Sequence, residues 1–304
     1  MEAMSLRCFY EATQAGSMRA AAEKMGLAVS SVSRQISQLE SEIGLLLIER
    51  GRRTIKPTEA GQLVIDYHRR TSAERELFDV QVQALRGAQT GRVDIAIGEG
   101  FITTALADRL NNFLSNHPGV MVSAVAASSV ELMRMVAEDE VHAGFVFHAP
   151  PDPKIRTKLS ISQPIELLVH PRHPLAALEQ VRLSDIASHR LCLPPDSFRI
   201  RQIIAEAEAE EGIWLKPAFV TSSVLLLKEM VKSGDFVTLI PRMGAALEIE
   251  AGLLRRVRVV CPPLEKTSAN IVVRLGRQLT EAPLRLLNSI EAHLREKLAL
   301  PPSA

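Results

Sequence analysis

Hydroxyl, amide and guanidinium side chains recur along one short stretch of the chain, and their chemistry suits the reading of base pairs. Within residues 17–40 (SMRAAAEKMGLAVSSVSRQISQLE) they fall mainly on the face opposite Val32, Ile36 and Leu39. Such groups exchange hydrogen bonds with base edges and phosphates, and the methyls of a valine can contact the methyl group of thymine. The candidate contact residues are Val29, Ser30, Ser31, Ser33, Arg34 and Gln35.

Two short helices must hold these side chains. Apolar residues keep helical spacing on both sides of Gly26, which permits a sharp turn, so each helix can bury one face in a shared core. Residues 4–15 show the same spacing and predict a third, bracing helix. An ordinary solvated helix pair explains residues 17–40 equally well when they are taken alone. The segments on either side favour a DNA-reading hairpin of helices.

A cationic loop follows. Residues 46–50 and 54–56 are predicted to pair as a two-stranded wing around Gly51, and Arg50, Arg52, Arg53 and Lys56 cluster near its tip. Four cations beside a recognition helix suit contact with phosphates. A solvated loop is the plainer alternative.

The order FYEATQAGSMRAAAEKMGLAVSSVSRQISQLESEIG, then LLLIERGRRTIKPTEAG, resembles the amino-terminal winged helix-turn-helix of LysR-type transcriptional regulators. The resemblance implies a DNA-binding domain over residues 1–58, with contacts at Ser33, Arg34 and the wing arginines. Ala28 and Val29 depart from the polar cap and glutamine that are usual in the family. The helix is therefore expected either to begin at Ser30 or to lose roughly 1 kcal/mol of capping.

Composition limits the partners of the chain. Its 36 basic and 35 acidic residues give a net charge of +1, so DNA affinity must come from local placement of charge. Cys8, Cys192 and Cys261 show no pairing pattern. Neither a signal-peptide pattern nor an apolar run long enough to span a membrane is present, so we expect a cytoplasmic protein without membrane partners.

A long helix is predicted over residues 59–90, capped by Thr58 and ended by RGAQTG. In the resembled family this helix forms the contact between two reading heads. Pairing also has a physical reason, because two heads on a symmetric site bind more tightly than one. We expect a homodimer, and the resemblance implies a tetramer.

Strands alternate with helices over residues 91–304, which predicts an α/β domain of parallel βαβ units. Two halves are expected, lobe I at about 91–162 and 268–304 and lobe II at about 163–267. HPGVMV, HPLA and KEMVKSGDFVTLIP make this region similar to the co-inducer domain of LysR regulators, which is shaped like periplasmic solute-binding proteins. His142 and Phe236 depart from the residues usual in the family.

Hydroxyl side chains follow several predicted strands, where ligands bind in open parallel sheets. The candidates for an effector site are Thr103, Thr104, Ser128, Ser129, Ser197, Thr221 and Ser222. Together with helix N-termini they would suit a small carboxylate. Ser and Thr at such joints are also common as simple helix caps. Arg199, Arg201 and His148 are further candidates, with solvated surface positions as the alternative.

The sequence and the resemblance together predict a DNA-binding regulator whose two-lobed domain binds a small anionic co-inducer and changes the geometry of paired heads. Double-stranded DNA and a second copy of the chain are the expected partners, RNA polymerase is an open further one, and no cofactor or metal is expected. An enzyme is disfavoured, since GxSxG, phosphate-loop and HExxH motifs are absent from the sequence. A thiol redox switch at Cys192 and Cys261 and a constitutive binder with a degenerate sensor remain alternatives.

Overall fold

The computed structural model describes residues 3–49, 54–85 and 91–298. The chain divides into two compact units, Met1–Gln81 and Val82–Ala304. The wing arginines Arg50, Arg52 and Arg53 lie outside the described residues, and so do residues 86–90 of the segment RGAQTG that is predicted to end the long helix. In the described part of the chain, no helix combines the length and apolarity that crossing a membrane requires.

The helices and strands of the first unit follow the apolar spacing. The helices are α1 (Ala3–Ala15), α2 (Met18–Met25), α3 (Val29–Ile43) and α4 (Glu59–Leu85). Gly26 ends α2 in the left-handed conformation, with φ of 66°, as the turn requires. The helix α3 begins at Val29 and not at Ser30, so of the two expected alternatives the start without a side-chain cap is the one observed. The backbone carbonyl of Ala28 accepts from the N–H groups of Ser31 and Val32, and its side chain offers no cap.

The predicted two-stranded wing is reduced, in the described residues, to one antiparallel bridge between Ile48 and Pro57. Two backbone hydrogen bonds flank it, from Glu49 to Lys56 and from Thr58 to Leu47. Thr58 caps α4 as expected, because its Oγ1 accepts from the N–H of Gly61 at 3.0 Å.

The second unit contains an α/β arrangement of two mixed sheets. Its strands are β1 (Gly91–Ile97), β2 (Val120–Ala126), β3 (Ala143–Phe147), β4 (Ile155–Ser162), β5 (Ile165–Val169), β6 (Gln180–Val181), β7 (Arg190–Leu193), β8 (Pro217–Val220), β9 (Phe236–Pro241), β10 (Arg255–Val259) and β11 (Ser268–Arg274). Its helices are α5 (Thr104–Asn116), α6 (Ser129–Ala137), α7 (Leu183–Ile186), α8 (Arg199–Glu211), α9 (Val224–Lys232), α10 (Ala246–Glu250), α11 (Pro262–Glu265) and α12 (Glu281–Leu298). Short 3-10 turns cover Glu99–Phe101, Pro174–Ala177 and Arg242–Ala245.

Among the described residues, one sheet has the strand order β2-β1-β3-β11-β4 and the other β6-β10-β5-β9-β7-β8. The predicted parallel pairing holds for β1 with β2 and β3, and for β7 with β8 and β9. It is wrong for β11 and β5, which pair antiparallel with both of their neighbours. The strands β4, β6 and β10 are not predicted from sequence. Exposed cations interrupt the apolar pattern of β4 and β10, and β6 has only two residues.

The chain passes between the two sheets at two adjacent points. The N–H of Gln163 donates to the carbonyl of Thr267 at 2.9 Å, and Thr267 Oγ1 donates back to the carbonyl of Gln163 at 2.6 Å. Both residues are buried. The two sheets, here called lobe I (β1–β4 and β11) and lobe II (β5–β10), are therefore joined by one narrow, hydrogen-bonded double crossing.

Candidate functional site

The recognition-helix candidate α3 presents polar side chains to solvent above a closed core. Val32, Ile36 and Leu39 are buried against residues of α1 and α2. Ser30, Ser33 and Arg34 are exposed, and Val29 keeps 45% of its surface accessible. Ser31 is half-buried. Helical spacing and packing therefore leave the side chains that can read bases free to do so.

Two polar residues of α3 serve the fold as well. Gln35 is half-buried, and its Oε1 accepts a hydrogen bond from the buried Ser5 Oγ of α1 at 2.5 Å. Its amide NH₂ keeps donor capacity. Glu40 Oε1 accepts from the N–H groups of Leu47 and Ile48 at 2.7 and 3.3 Å, and so holds the entry to the wing. The wing cation within the described residues, Lys56, is exposed.

The base of α4 is tied to the helix α1 by an aromatic and cationic cluster. The rings of Tyr10 and His68 lie 4.8 Å apart, and the guanidinium carbon of Arg69 is 5.7 Å from the centre of the Tyr10 ring. Arg69 is only 5% exposed, and its Nη1 lies 3.6 Å from Asp66 Oδ1. Burial lowers the pKa of His68, so the ring favours its neutral form. This cluster therefore anchors α4 to the helix α1 of the reading head.

Two neighbouring cavities lie between the lobes of the second unit. The larger has a volume of about 510 Å³ and is lined from lobe I by residues of α6 and the 150–154 loop, and from lobe II by Ser197, Arg199 and Gln202. The smaller encloses about 50 Å³ between the 98–101 turn, the start of α6, the start of α8 and residues 240–244. Ser129 and Arg199 line both. The N-termini of α6 and α8 thus open onto one cleft, and their unpaired N–H groups favour an anion there.

Arg199 supplies a cation to the cleft. Its Nη1 lies 2.9 Å from Glu206 Oε1, whereas its Nε is buried and has no hydrogen-bond partner among the described residues. His148 follows β3 with a left-handed φ of 46°, and burial together with the charge of Arg199 lowers the pKa of its ring. A neutral His148 therefore adds no positive charge beside Arg199.

Glu99 supplies a carboxylate to the same cleft and links the two lobes. Its Oε1 accepts from the N–H of Val224, the first residue of α9, at 2.8 Å. The residues come from different lobes and are 125 positions apart in sequence. The α9 N-terminus, which follows the candidate effector residues Thr221 and Ser222, is therefore contacted by a carboxylate of the protein itself.

The predicted effector residues separate into two groups. Ser128, Ser129 and Ser197 line the cavities. Thr103, Thr104, Thr221 and Ser222 do not line either cavity. Thr103 Oγ1 accepts from the N–H of Leu106 as the cap of α5, and Thr221 Oγ1 accepts from the N–H of Ser223. Those two hydroxyls serve local turns, which is the alternative that the sequence left open.

Several cleft residues were missed from sequence, among them Glu99, Phe101, Phe198 and Met243. A carboxylate after the first strand of the domain was the available signal, since Glu99 follows β1 and Gly98. Phe198 and Met243 look like ordinary core residues in sequence. The departure at His142 is structural, because its Nδ1 accepts from the N–H of Asp94 at 2.9 Å. Phe236 also has a structural contact, because the guanidinium carbon of Arg190 lies 4.4 Å from the centre of its ring.

The thiols offer no redox centre. All three cysteines are buried and free. Burial raises the pKa of Cys192 to about 11, and burial with the neighbouring Glu211 carboxylate raises the pKa of Cys261 to about 12. A reactive thiol requires a lowered pKa and solvent access, so these sites argue against the redox alternative. Among the described residues, no cluster of His, Cys, Asp or Glu is arranged to hold a metal ion.

Comparison with known proteins agrees with both parts of this description. Residues 4–62 match the model of the bacterial regulatory helix-turn-helix protein, lysR family, and residues 86–295 match the LysR substrate binding domain. The RuBisCO operon transcriptional regulator of Allochromatium vinosum is 25% identical over 278 residues, which cover 91% of each chain. The SDS degradation transcriptional activation protein of a Pseudomonas species is 27% identical over 283 residues, again covering 91% of each.

Solved structures share the fold. Full-length OxyR from Pseudomonas aeruginosa aligns with a TM-score of 0.70 at 17% identity, covering 98% of this chain and 96% of that one. CbnR complexed with its target DNA aligns with a TM-score of 0.56 at 22% identity, covering 96% and 99%. The curated relatives are transcriptional regulators, which confirms the prediction that this chain is not an enzyme. The chain belongs to the LysR family of bacterial transcriptional regulators, with a DNA-binding helix-turn-helix followed by an effector-binding domain.

Proposed function

We propose that this regulator reads operator DNA with the exposed face of α3 and that a small anionic metabolite, bound between lobes I and II, changes the geometry of paired reading heads. The observation that carries the proposal is the cleft, where two helix N-termini and Arg199 face the same space. A ligand in that space touches both lobes, so it distinguishes between their arrangements, as an effector must.

For the reading head, support comes from the separation of functions on α3. Val29, Ser30, Ser33 and Arg34 lie in solvent and are free to contact bases or phosphates, whereas Ser31 and Gln35 stand at the edge of that surface. Arg50, Arg52 and Arg53 are assigned to phosphate contact by their charge and by the resemblance. CbnR, which shares this fold, has been solved in complex with its target DNA.

For self-association, support comes from α4. Leu63, Tyr67 and Phe78 are 68%, 40% and 62% exposed. Steps of four and eleven residues place them on one stripe of the helix, because eleven residues complete about three turns. Large apolar side chains in a row on an exposed helix suit pairing with a second copy. We assign dimerisation to this stripe and regard a tetramer as the assembly built from such dimers.

Lobe movement has a structural basis in the double crossing at Gln163 and Thr267. Because only two strands of chain join the lobes there, a hinge motion requires rearrangement mainly at this crossing and at contacts across the cleft, such as that of Glu99 with Val224. The smaller cavity of about 50 Å³ holds only water-sized molecules, so a metabolite must part the lobes or occupy the larger space beside it.

The test combines genome-wide mapping of binding sites with footprinting of the purified full-length protein on those sites. A metabolite suggested by the neighbouring genes is expected to raise the unfolding temperature. It should also shift the protected region or introduce a hypersensitive position between half-sites.

The variant Arg199→Met should abolish both the stabilisation and the change in footprint, and it should leave DNA binding intact. Identical footprints with and without a stabilising ligand would refute the coupling. Stabilisation by no anion would favour the constitutive DNA binder.

A further inference from the structure

We propose that the effector cleft is polarised and selects a ligand with a carboxylate at one end and an ammonium group at the other, the chemical class of an amino acid. This inference rests on the function proposed above and adds the second charge of the ligand. Its basis is that Glu99 and Arg199, of opposite sign, line the same enclosed space together with Ser128 and Ser129.

The anionic end of the ligand is assigned to Arg199. The Nε of this residue is buried without a hydrogen-bond partner among the described residues, although the guanidinium carries a full charge. The cap residues of α6 and α8 differ: Ser128 Oγ accepts from the N–H of Glu131, whereas Phe198 provides no side-chain cap to α8. N–H groups in the first turn of α8 are therefore left for a carboxylate, next to the guanidinium.

The cationic end of the ligand is assigned to Glu99. Its hydrogen bond from the N–H of Val224 uses one of two oxygens, and each carboxylate oxygen accepts two hydrogen bonds. No cation pairs with Glu99 in the described part of the chain. An ammonium group of the ligand supplies both N–H donors for the remaining oxygen and a charge of opposite sign.

The Glu99 carboxylate disfavours binding of a ligand that is anionic at both ends. Two carboxylates facing each other in an enclosed space repel, which weakens the binding of such a ligand. A plain monocarboxylate avoids the repulsion but leaves Glu99 uncompensated. We therefore expect an amino acid to bind roughly tenfold to a hundredfold more tightly than its deaminated analogue, as for a hydrogen bond to a charged group.

The charged ends of the ligand enter the smaller space as the lobes part, because its volume of about 50 Å³ holds only water-sized molecules. The side chain of the ligand has room in the adjoining cavity of about 510 Å³, which shares Ser129 and Arg199 with the smaller space. Val130, Met133 and Ala137 give it an apolar wall, and Lys154 and Gln202 give it polar positions. These walls, and not the two charged ends, would decide which amino acid is preferred.

The experiment measures thermal unfolding of the full-length protein with the twenty amino acids and with the matched deaminated acids, for example L-leucine against 4-methylpentanoate. Every compound that raises the unfolding temperature is then titrated by calorimetry. In the wild type, at least one amino acid should bind, and its deaminated partner should bind at least tenfold more weakly.

Three variants assign the charges. Glu99→Gln keeps an oxygen for the Val224 N–H, so the lobe contact survives, but the preference for the amine should fall to about threefold or less. Glu229→Gln is the matched control, since this exposed carboxylate on α9 pairs with Lys232 at 2.8 Å outside the cleft, and it should keep the preference. Arg199→Met should abolish binding of both compounds.

The outcomes separate this inference from the function on which it rests. Carboxylates that bind equally well with and without an amine overturn the inference and leave the anionic effector standing. An undiminished amine preference in Glu99→Gln overturns the assignment of Glu99. A panel in which no amino acid binds also overturns it. Binding by no anion of any kind counts against both proposals.

Discussion

The two units of this chain use polar side chains in opposite ways. On the reading head, Ser30, Ser33 and Arg34 stand in solvent on one helix, and the core that supports them lies directly beneath. In the second unit (Val82–Ala304), Glu99, Ser128 and Arg199 come from three separate segments and line the same enclosed space. One surface is made by a single helix and the other by long-range folding.

This difference predicts how each site responds to change. A surface carried by one helix loses single contacts when single residues are replaced, and its fold persists. A cleft made between lobes depends on contacts such as that of Glu99 with Val224, so a substitution there alters both ligand contact and lobe position. If the two units respond separately, a substitution in one unit should leave the other unchanged.

Removing a core ring from one unit should unfold that unit alone. Phe9 is fully buried in the head, and Phe145 is fully buried in lobe I. Either Phe→Ala change is expected to cost about 3–5 kcal/mol of unfolding free energy, because it leaves a cavity in a packed core. Calorimetry should resolve two transitions, with Phe9→Ala lowering one and Phe145→Ala the other. Equal lowering of both transitions by either variant would show that the units unfold together.

Thiol labelling offers a second measure of whether the two units unfold independently. With a pKa of about 11, Cys192 at pH 8 is thiolate to roughly 0.1%, against about a quarter for a free thiol. Alkylation by iodoacetamide should therefore be at least a hundredfold slower at Cys192 and at Cys261 than in a peptide. The raised pKa stabilises the fold below about pH 8.5, and this contribution is lost as the pH rises toward 11.

The variant Phe9→Ala, which destabilises only the head, provides the control for these labelling rates. Burial also raises the pKa of Cys8, which lies in the head. In Phe9→Ala, Cys8 should label at the rate of a free thiol, and Cys192 should stay protected. Fast labelling of Cys192 or Cys261 in the wild type would restore the redox alternative.

On α3, affinity and specificity should divide between neighbouring residues. Arg34→Ala is expected to weaken binding to every operator variant by about tenfold to a hundredfold, since it removes a charged contact to base or phosphate. Val29→Ala should instead lose discrimination at one base pair, where its methyls would contact a thymine. Arg172→Ala, an exposed arginine of lobe II, is the control. Equal losses on all operators in Val29→Ala would remove its role in specificity.

The reading head can be predicted from sequence more fully than the cleft, because its surface lies on one helix and the cleft is formed by segments distant in sequence. Val32, Ile36 and Leu39 repeat at helical spacing, so the head and its exposed face are readable from local pattern. Cation-rich strands such as Arg255–Val259 carry no such pattern and were missed. Glu99 was missed because its role depends on Val224, which only tertiary folding brings close. Hydroxyls at strand ends, such as Thr103, look alike in sequence whether they cap a helix or line a cleft.

The smallest expected effect concerns the two helix starts of the reading motif. Ser17 caps α2 through an Oγ that accepts from the N–H of Ala20 at 3.0 Å, whereas Ala28 gives α3 no side-chain acceptor. Ser17→Ala should therefore cost about 1 kcal/mol of unfolding free energy, and Ala28→Ser should add up to about 1 kcal/mol. Urea unfolding of the head transition measures both changes.

The same pair of variants connects capping to DNA reading. If the uncapped start of α3 serves specificity, Ala28→Ser should stabilise the head and alter the operator preference at the base pair assigned to Val29. Ser17→Ala, which leaves α3 untouched, should change stability alone. A stabilised Ala28→Ser with unchanged preference on every operator would show that the missing cap is only a local loss of stability, without a part in recognition.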